Sequence, residues 1–501
     1  MFPVASTPME PILLIHGYSA ESPAITLPSV VTEYGTLPAR LAAKYGGASV
    51  VEIDMARYIS LDDGVNIDDV SRALNNALER DFPSLLHRRF HVVIHSTGAL
   101  VIRNWIRMFS PKPSPILNVV YLAGANFGSG WAHLGQGQLA KWGRYVFEHG
   151  AERGIKILDA LELGSNSTLD LHVGFTKSGN VLSTDYGVQE YIVVGSQAHP
   201  SWLELPIPYA KEDGSDGVVR VSGSNLNFNY VRFRPKASVS KLSWNDVTIA
   251  LEQHAARVEL QGSFYEIAET SIAGVDRPLL PFAIPFGCSH TGADTGIVDG
   301  TNEPLRSQVF DLLTTALETP AGGMSTVLPK FSDELSRTYT MVKTAPTPDL
   351  AHLFGWNLQS QYDPHAQLIF RFVDQDARPV AHFDVFFDGG SDPVNQGKLQ
   401  ALFQSTYLED KTQNIVVYYL RTSKYDKATN EWLPLLDSIT ECNLEIDFVE
   451  PDSDVVKYLP FRFHFDSGQL KSWVMGHRST VIDIEVIRLP DPKVFTIFKN
   501  S

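Results

Sequence analysis

The segment His91–Leu100 reads HVVIHSTGAL: a β-like run, a tight turn around Ser96 and then a helix start. A serine at such an elbow can attack an acyl carbonyl, because the turn lifts its hydroxyl clear of the backbone. The turn strains the backbone, so residues two places away should be small. Gly98 meets this on one side. On the other, Ile94 stands where the usual G-x-S-x-G pattern has glycine, which the elbow tolerates if the facing helix makes room. A serine after a strand also serves as an ordinary helix N-cap. A second motif favours the catalytic reading. In Leu14-Ile15-His16-Gly17-Tyr18 an HG dipeptide ends the first strand-like run. A glycine turn at such a strand end can aim backbone N–H groups at a neighbouring elbow, though it also follows any buried strand. The amides of Tyr18 and Thr97 are the expected oxyanion donors.

The serine needs a base, and the base needs an acid to orient it. In the strand–elbow–helix arrangement the chain order is serine, acid, histidine. After the strand-like Tyr191–Val194 comes Lys211-Glu-Asp-Gly-Ser-Asp-Gly-Val-Val219, with two acids beside glycines. Asp216, followed by Gly-Val-Val-Arg-Val, is preferred to Asp213. Asp-Gly is also a common turn dipeptide. Two histidines compete for the base. His254 lies in Val247–Leu260, which reads as a helix, whereas His290 lies in the glycine-bordered loop Phe286–Gly292. A loop can carry the imidazole over the sheet edge, so His290 is preferred. His16, His95 and His199 are read as structural or supporting. This chemistry needs no cofactor and no metal.

The elements around these residues are legible in outline. Ile12–Ile15, Ser49–Ile53, His91–Ile94, Asn118–Leu122 and Glu190–Val194 are short apolar runs that read as buried parallel strands. Amphipathic stretches at Leu37–Lys44, Ile67–Glu79 and Leu100–Phe109 alternate with them. Such alternation predicts an α/β domain: a mostly parallel sheet with helices on both faces. The expected extent is 1–325, with a helical cap insertion at about 131–172 and a second insertion over 236–285. Residues 326–345 read as a linker. From 346 to 501 the texture turns to alternating β patterns, at Leu368–Val373, Val380–Phe387, Ile415–Leu420, Leu444–Val449, Phe461–Phe465 and Val481–Ile487. Short, regularly spaced strands predict a mostly antiparallel β-sandwich. The apolar tail at 494–501 reads as a closing strand or a subunit contact.

Composition excludes several alternatives. In 501 residues there are 41 Lys+Arg against 57 Asp+Glu, a net charge of −16. That argues against a dedicated nucleic-acid binder, which carries a basic face. Two cysteines, Cys288 and Cys442, are too few for a disulfide framework or a four-thiolate zinc site. No apolar run reaches the roughly 18–20 residues of a membrane-spanning helix. The N-terminus lacks the basic and apolar regions of a signal peptide. The expectation is a chain that is soluble or peripherally bound to a membrane.

HGY, RYISLDD (57–63), VIHSTGALV, LAGANFGS (122–129) and GSDGVVRV (214–221) together resemble the bacterial PlaB family of phospholipases A and lysophospholipases, within the α/β-hydrolases. That family also carries HSTG in place of a full GxSxG, and it joins an N-terminal hydrolase domain to a C-terminal β-domain. The resemblance carries the triad over as Ser96, Asp216 and His290. It implies a phospholipid or lysophospholipid substrate, peripheral membrane contact and homo-oligomerisation.

Overall fold

The computed structural model describes residues 10–15, 33–59, 64–133, 155–199, 208–237, 264–346, 357–451 and 455–491, with isolated positions at 239, 245, 453 and 494. The chain forms two compact units. The first comprises Met1–Asn227 and Arg277–Asp363, the second Phe228–Asp276 and Pro364–Ser501.

The first unit is built on a sheet of β1 (Ile12–Ile15), β2 (Val50–Ile53), β3 (Phe90–His95), β4 (Ile116–Leu122), β5 (Gln189–Val193) and β6 (Phe282–Ala283). The spatial order is β2-β1-β3-β4-β5-β6, and every neighbouring pair is parallel. β1, β3 and β5 are buried at every position. That is why their centres, Ile12–Ile15, Val92–Ile94 and Tyr191–Val193, are apolar at successive positions rather than at alternating ones. Helices flank the sheet: α1 (Leu37–Tyr45), α2 (Ile67–Arg80), α3 (Gly98–Phe109), α4 (Ile155–Ala160), α5 (Asn166–Gly174), α6 (Glu303–Leu317) and α7 (Leu328–Thr344). α2 starts at Asn66, whose side chain accepts from Asp69 N–H while the Asp69 carboxylate takes the Asn66 N–H. This capping box is followed by the buried stripe Val70, Ala73, Leu74, Ala77 and Leu78, at helical spacing. α2 packs on α3, which is buried from Gly98 to Ile106. The carbonyl-rich end of α6 is satisfied from the sheet. Asn118 Nδ2 donates to Ala316 O and Thr319 O, each at 2.9 Å.

Sequential strands step from β1 out to β2 and then back across to β3. The strand order therefore reverses between β1 and β3. In open parallel sheets this switch point opens a crevice at the carboxyl ends of the strands. Ser96 follows the last residue of β3, so the topology puts it at that crevice.

The second unit has a mixed six-stranded sheet, in the order Phe403–Leu408, Ile415–Arg421, His365–Asp374, Ser479–Val486, Asn229–Pro235, Tyr265–Ser271. Phe383–Asp388, Glu441–Phe448 and Phe461–Asp466 form a three-stranded antiparallel sheet. Rings from both sheets meet in one core. Phe372 and Phe448 lie 5.3 Å apart and Phe233 and Phe461 4.9 Å apart, both edge to face. The sandwich is less antiparallel than expected, because Ser479–Val486 runs parallel to both of its neighbours.

Two stretches differ from the sequence reading. Residues 326–345, read as a linker, hold α7, which buries Phe331, Thr338 and Val342. Its proline sits in the first turn, where it ends nothing. Residues 236–285, read as an insertion, are shared between the units. Tyr265–Ser271 pairs antiparallel with Asn229–Pro235 in the second, and Phe282–Ala283 closes the sheet of the first. Asn229–Pro235 exposes Arg232 and Arg234 while burying Val231 and Phe233. That alternation suits a sheet with one wet face. Of the expected cap, Gly130–His133, α4 and α5 are described, and 134–154 lie outside the described residues, as do His16–Tyr18, Ser60–Asp63, His254 and the tail apart from Val494.

Candidate active site

Ser96 sits between β3 and α3 with φ +52°, in the left-handed region. A non-glycine residue there costs roughly 1–3 kcal/mol unless the surroundings hold it. They do: Ser96 N–H donates to Leu122 O, and Ser96 O accepts from the amides of Ala99 and Ala125, all at 3.2 Å. The segment after β4 thus pins the elbow. It comes close because Gly124 has no side chain. A Cβ there would lie 3.0 Å from the Cβ of Ala99. Ile94, at the usual glycine place, is fully buried within β3 and pairs in register with Ile15 and Tyr121.

The structure brings Ser96, Asp216 and His290 together. His290 Nε2 lies 3.1 Å from Ser96 Oγ, and His290 Nδ1 lies 2.9 Å from Asp216 Oδ2. A carboxylate only accepts, so Nδ1 carries the proton and Nε2 presents its lone pair to the serine hydroxyl. Asp216 is fully buried, with Oδ1 taking the N–H groups of Val218 (2.9 Å) and Val219 (2.8 Å). Its own carbonyl accepts from His290 N–H at 3.1 Å, a second tie between the acid and base loops. Asp213 points elsewhere: its Oδ1 accepts from Ser360 Oγ and Gln361 Nε2. Gly195, just beyond β5, makes the junction possible. A Cβ there would meet the Cys288 carbonyl oxygen at 2.1 Å and the Asp216 Cβ at 3.1 Å.

Thr97 N–H makes no hydrogen bond among the described residues, which leaves it available as an oxyanion donor. Tyr18, the other expected donor, lies outside those residues. Beside Ser96 and Thr97 is a cavity of ≈ 20 Å³, walled by Ala125, Trp131, Leu158, Leu161 and Val218. It has room for about one water. Trp131 Nε1 donates to Gly217 O at 2.6 Å and Ser129 Oγ to Val218 O at 2.5 Å, tying this wall to the acid loop. Burial first, then Asp216 and Asp299, push the Cys288 thiol well above its usual range, so it stays a neutral thiol.

Three supporting residues were not named by sequence reasoning. Asp299 takes the Gly292 N–H (3.1 Å) and the Thr291 hydroxyl (3.2 Å), bracing the loop just after His290. Gly195 is the second. Glu33 is the third, meeting His95 from 62 positions away. Only the turn-forming glycines near His290 hinted at a braced loop. Nothing local marks Glu33.

No protein-family profile matches the sequence, and no curated protein matches it. Among solved structures, phospholipase PlaB from Legionella pneumophila superposes with a TM-score of 0.74 at 20% identity, covering 98% of this chain and 97% of that one. Its complex with thio-NAD superposes with the same TM-score at 19% identity and the same coverage. The chain therefore has the PlaB fold over nearly its whole length.

Proposed function

We propose that this protein is a serine hydrolase that cleaves acyl esters of glycerophospholipids and lysophospholipids. The observation that carries the reading is the Asp216–His290–Ser96 relay, built on a strained elbow at the crevice of a parallel sheet. His290 Nε2 takes the serine proton as Oγ bonds to the acyl carbon. The Thr97 amide, with the Tyr18 amide from the HG turn, stabilises the oxyanion. As the tetrahedral adduct collapses, His290 gives its proton to the departing alcohol oxygen. A water then attacks the acyl-serine, losing a proton to His290, and the fatty acid leaves as Ser96 recovers its own.

The relay accounts for ester cleavage. The fold shared with phospholipase PlaB favours a lipid acyl chain. No helix among the described residues is long and apolar enough to cross a membrane. Peripheral membrane contact and a homo-oligomer belong to the same proposal. Vesicle flotation tests the first and light scattering the second. The deciding experiment is hydrolysis of phosphatidylglycerol, lysophospholipid and triglyceride, with products read by mass spectrometry. Release of fatty acid from the first two supports the proposal. Activity confined to triglyceride or short esters would make the enzyme a neutral-lipid lipase or carboxylesterase. Failure to label with a serine-directed fluorophosphonate would reduce it to a silent fold used for binding.

A further inference from the structure

His95, the residue before the nucleophile, is buried, and both of its ring nitrogens face acceptors. Nδ1 lies 2.6 Å from Glu33 Oε1 and Nε2 lies 3.2 Å from the main-chain carbonyl of His290. A neutral imidazole has one N–H and one lone pair. Set between a carboxylate and a carbonyl, it would turn that lone pair against one of two oxygens. Only the imidazolium donates to both. The charged groups facing His95 agree with this, since they are the carboxylates of Glu33, Asp216 and Asp299. Among the described residues, its other titratable neighbours include the His290 ring, at a centroid distance of 4.7 Å, and Tyr34, which meets the His95 main chain.

We infer that Glu33 and the buried His95 form a partly buried ion pair whose task is to hold the main chain of His290, with His95 the positioning residue and Glu33 its counter-ion. The inference rests on His290 acting as the base of the proposed hydrolase. His290 is then fixed at three points: Asp216 at its ring, Asp216 again at its N–H, and His95 at its carbonyl. The loop bearing it starts beyond β6 and is held by turn hydrogen bonds and by Asp299 rather than by a strand. A shift of about 1 Å in the base is enough to cost about 10²-fold in rate. Burial opposes charge on His95, but the hydrogen bond and charge of Glu33 outweigh it, and the protonated form persists above the ordinary histidine range. Raising the pH far enough removes the Nε2 proton, turns a lone pair toward the His290 carbonyl, and loosens the base.

The test uses the full-length protein. Glu33→Gln keeps the shape and an acceptor but removes the counter-charge. Its kcat is expected to fall about tenfold with KM within about threefold of wild type. The alkaline decline of its pH–rate profile should move to lower pH, because the counter-charge that holds the proton on His95 is gone. A purely packing role for Glu33 would lower stability without moving that limb. In ¹⁵N-histidine-labelled wild type, the His95 ring, assigned by difference against His95→Gln, should carry protons on both nitrogens at pH 7.5. A neutral His95 in that spectrum, or an unchanged kcat and profile in Glu33→Gln, overturns the inference. The spectrum decides the matter even if the variant does not fold. It also decides it if the wild type proves inert toward esters, an outcome that sinks the proposed function separately.

Discussion

Replacing Asp216 with asparagine exchanges one buried carboxylate oxygen for an NH₂ group and changes almost no volume. In the wild type Oδ1 already serves the amides of Val218 and Val219, and Oδ2 serves His290 Nδ1. The asparagine oxygen must keep the two backbone donors, because turning the amide round would set its NH₂ against them. Its NH₂ therefore faces Nδ1 at about the former 2.9 Å. Two donors cannot share that gap, so the ring shifts to the tautomer with its proton on Nε2. That proton then points at Ser96 Oγ, and the base has no lone pair to offer. In a comparable triad such a tautomer inversion costs about 10⁴ in kcat, which is about 5.5 kcal/mol of transition-state stabilisation. Loss of the charge-assisted bonds should also lower stability by about 1–3 kcal/mol. The measurements are kcat on a 4-nitrophenyl ester, the rate of fluorophosphonate labelling, and a melting curve showing a folded variant. A folded Asp216→Asn enzyme within tenfold of wild type would refute the argument and return Asp213 to consideration.

Ser96→Ala and His290→Ala should each remove ester hydrolysis by several orders of magnitude while leaving the circular-dichroism spectrum intact; turnover above about a tenth of wild type in either variant would remove that residue from the mechanism. His254→Ala is expected to stay near wild type in the same assay. Gly195→Ala forces a Cβ toward the Cys288 carbonyl, so it should depress both kcat and melting temperature, unlike Ser96→Ala, which should depress only kcat. Acid should destabilise the protein through His91 and His477, whose pKa values burial lowers to about 4, with help from Arg89 and Arg478 respectively. The unfolded chain takes up these protons below about pH 6.5 and the folded one does not, so stability is full above about 6.5 and falls as pH drops toward 4, by about 3 kcal/mol per site. Melting temperatures from pH 8 to pH 5 should show this slope, and His477→Gln should flatten it. Deleting residues 494–501 should lower lipid hydrolysis or change the mass seen by light scattering; full activity at unchanged mass would make the tail dispensable.

The sequence by itself marked the local elements and the candidate reacting groups. Buried parallel strands must be apolar on both faces, so β1, β3 and β5 stood out as continuous runs, and the elbow at Ser96 followed from a strand, a turn and Gly98 in succession. Asp216 and His290 could be picked from chain order and loop glycines, because those constraints act over a few residues. Three-dimensional proximity could not be read that way. That Asp216 rather than Asp213 meets His290 depends on which way each carboxylate points after the turn, and Asp213 is drawn off by Ser360 and Gln361 from a distant part of the chain. The sheet membership of Asn229–Pro235 and Tyr265–Ser271 was hidden for the same reason, since a strand's partners are chosen by which face must be dry and not by its neighbours in sequence. Glu33 shows the limit most plainly. One acid among the 57 Asp and Glu residues of the chain, it has no local mark, and only the fold carries it across to His95, whose other ring nitrogen faces the His290 carbonyl.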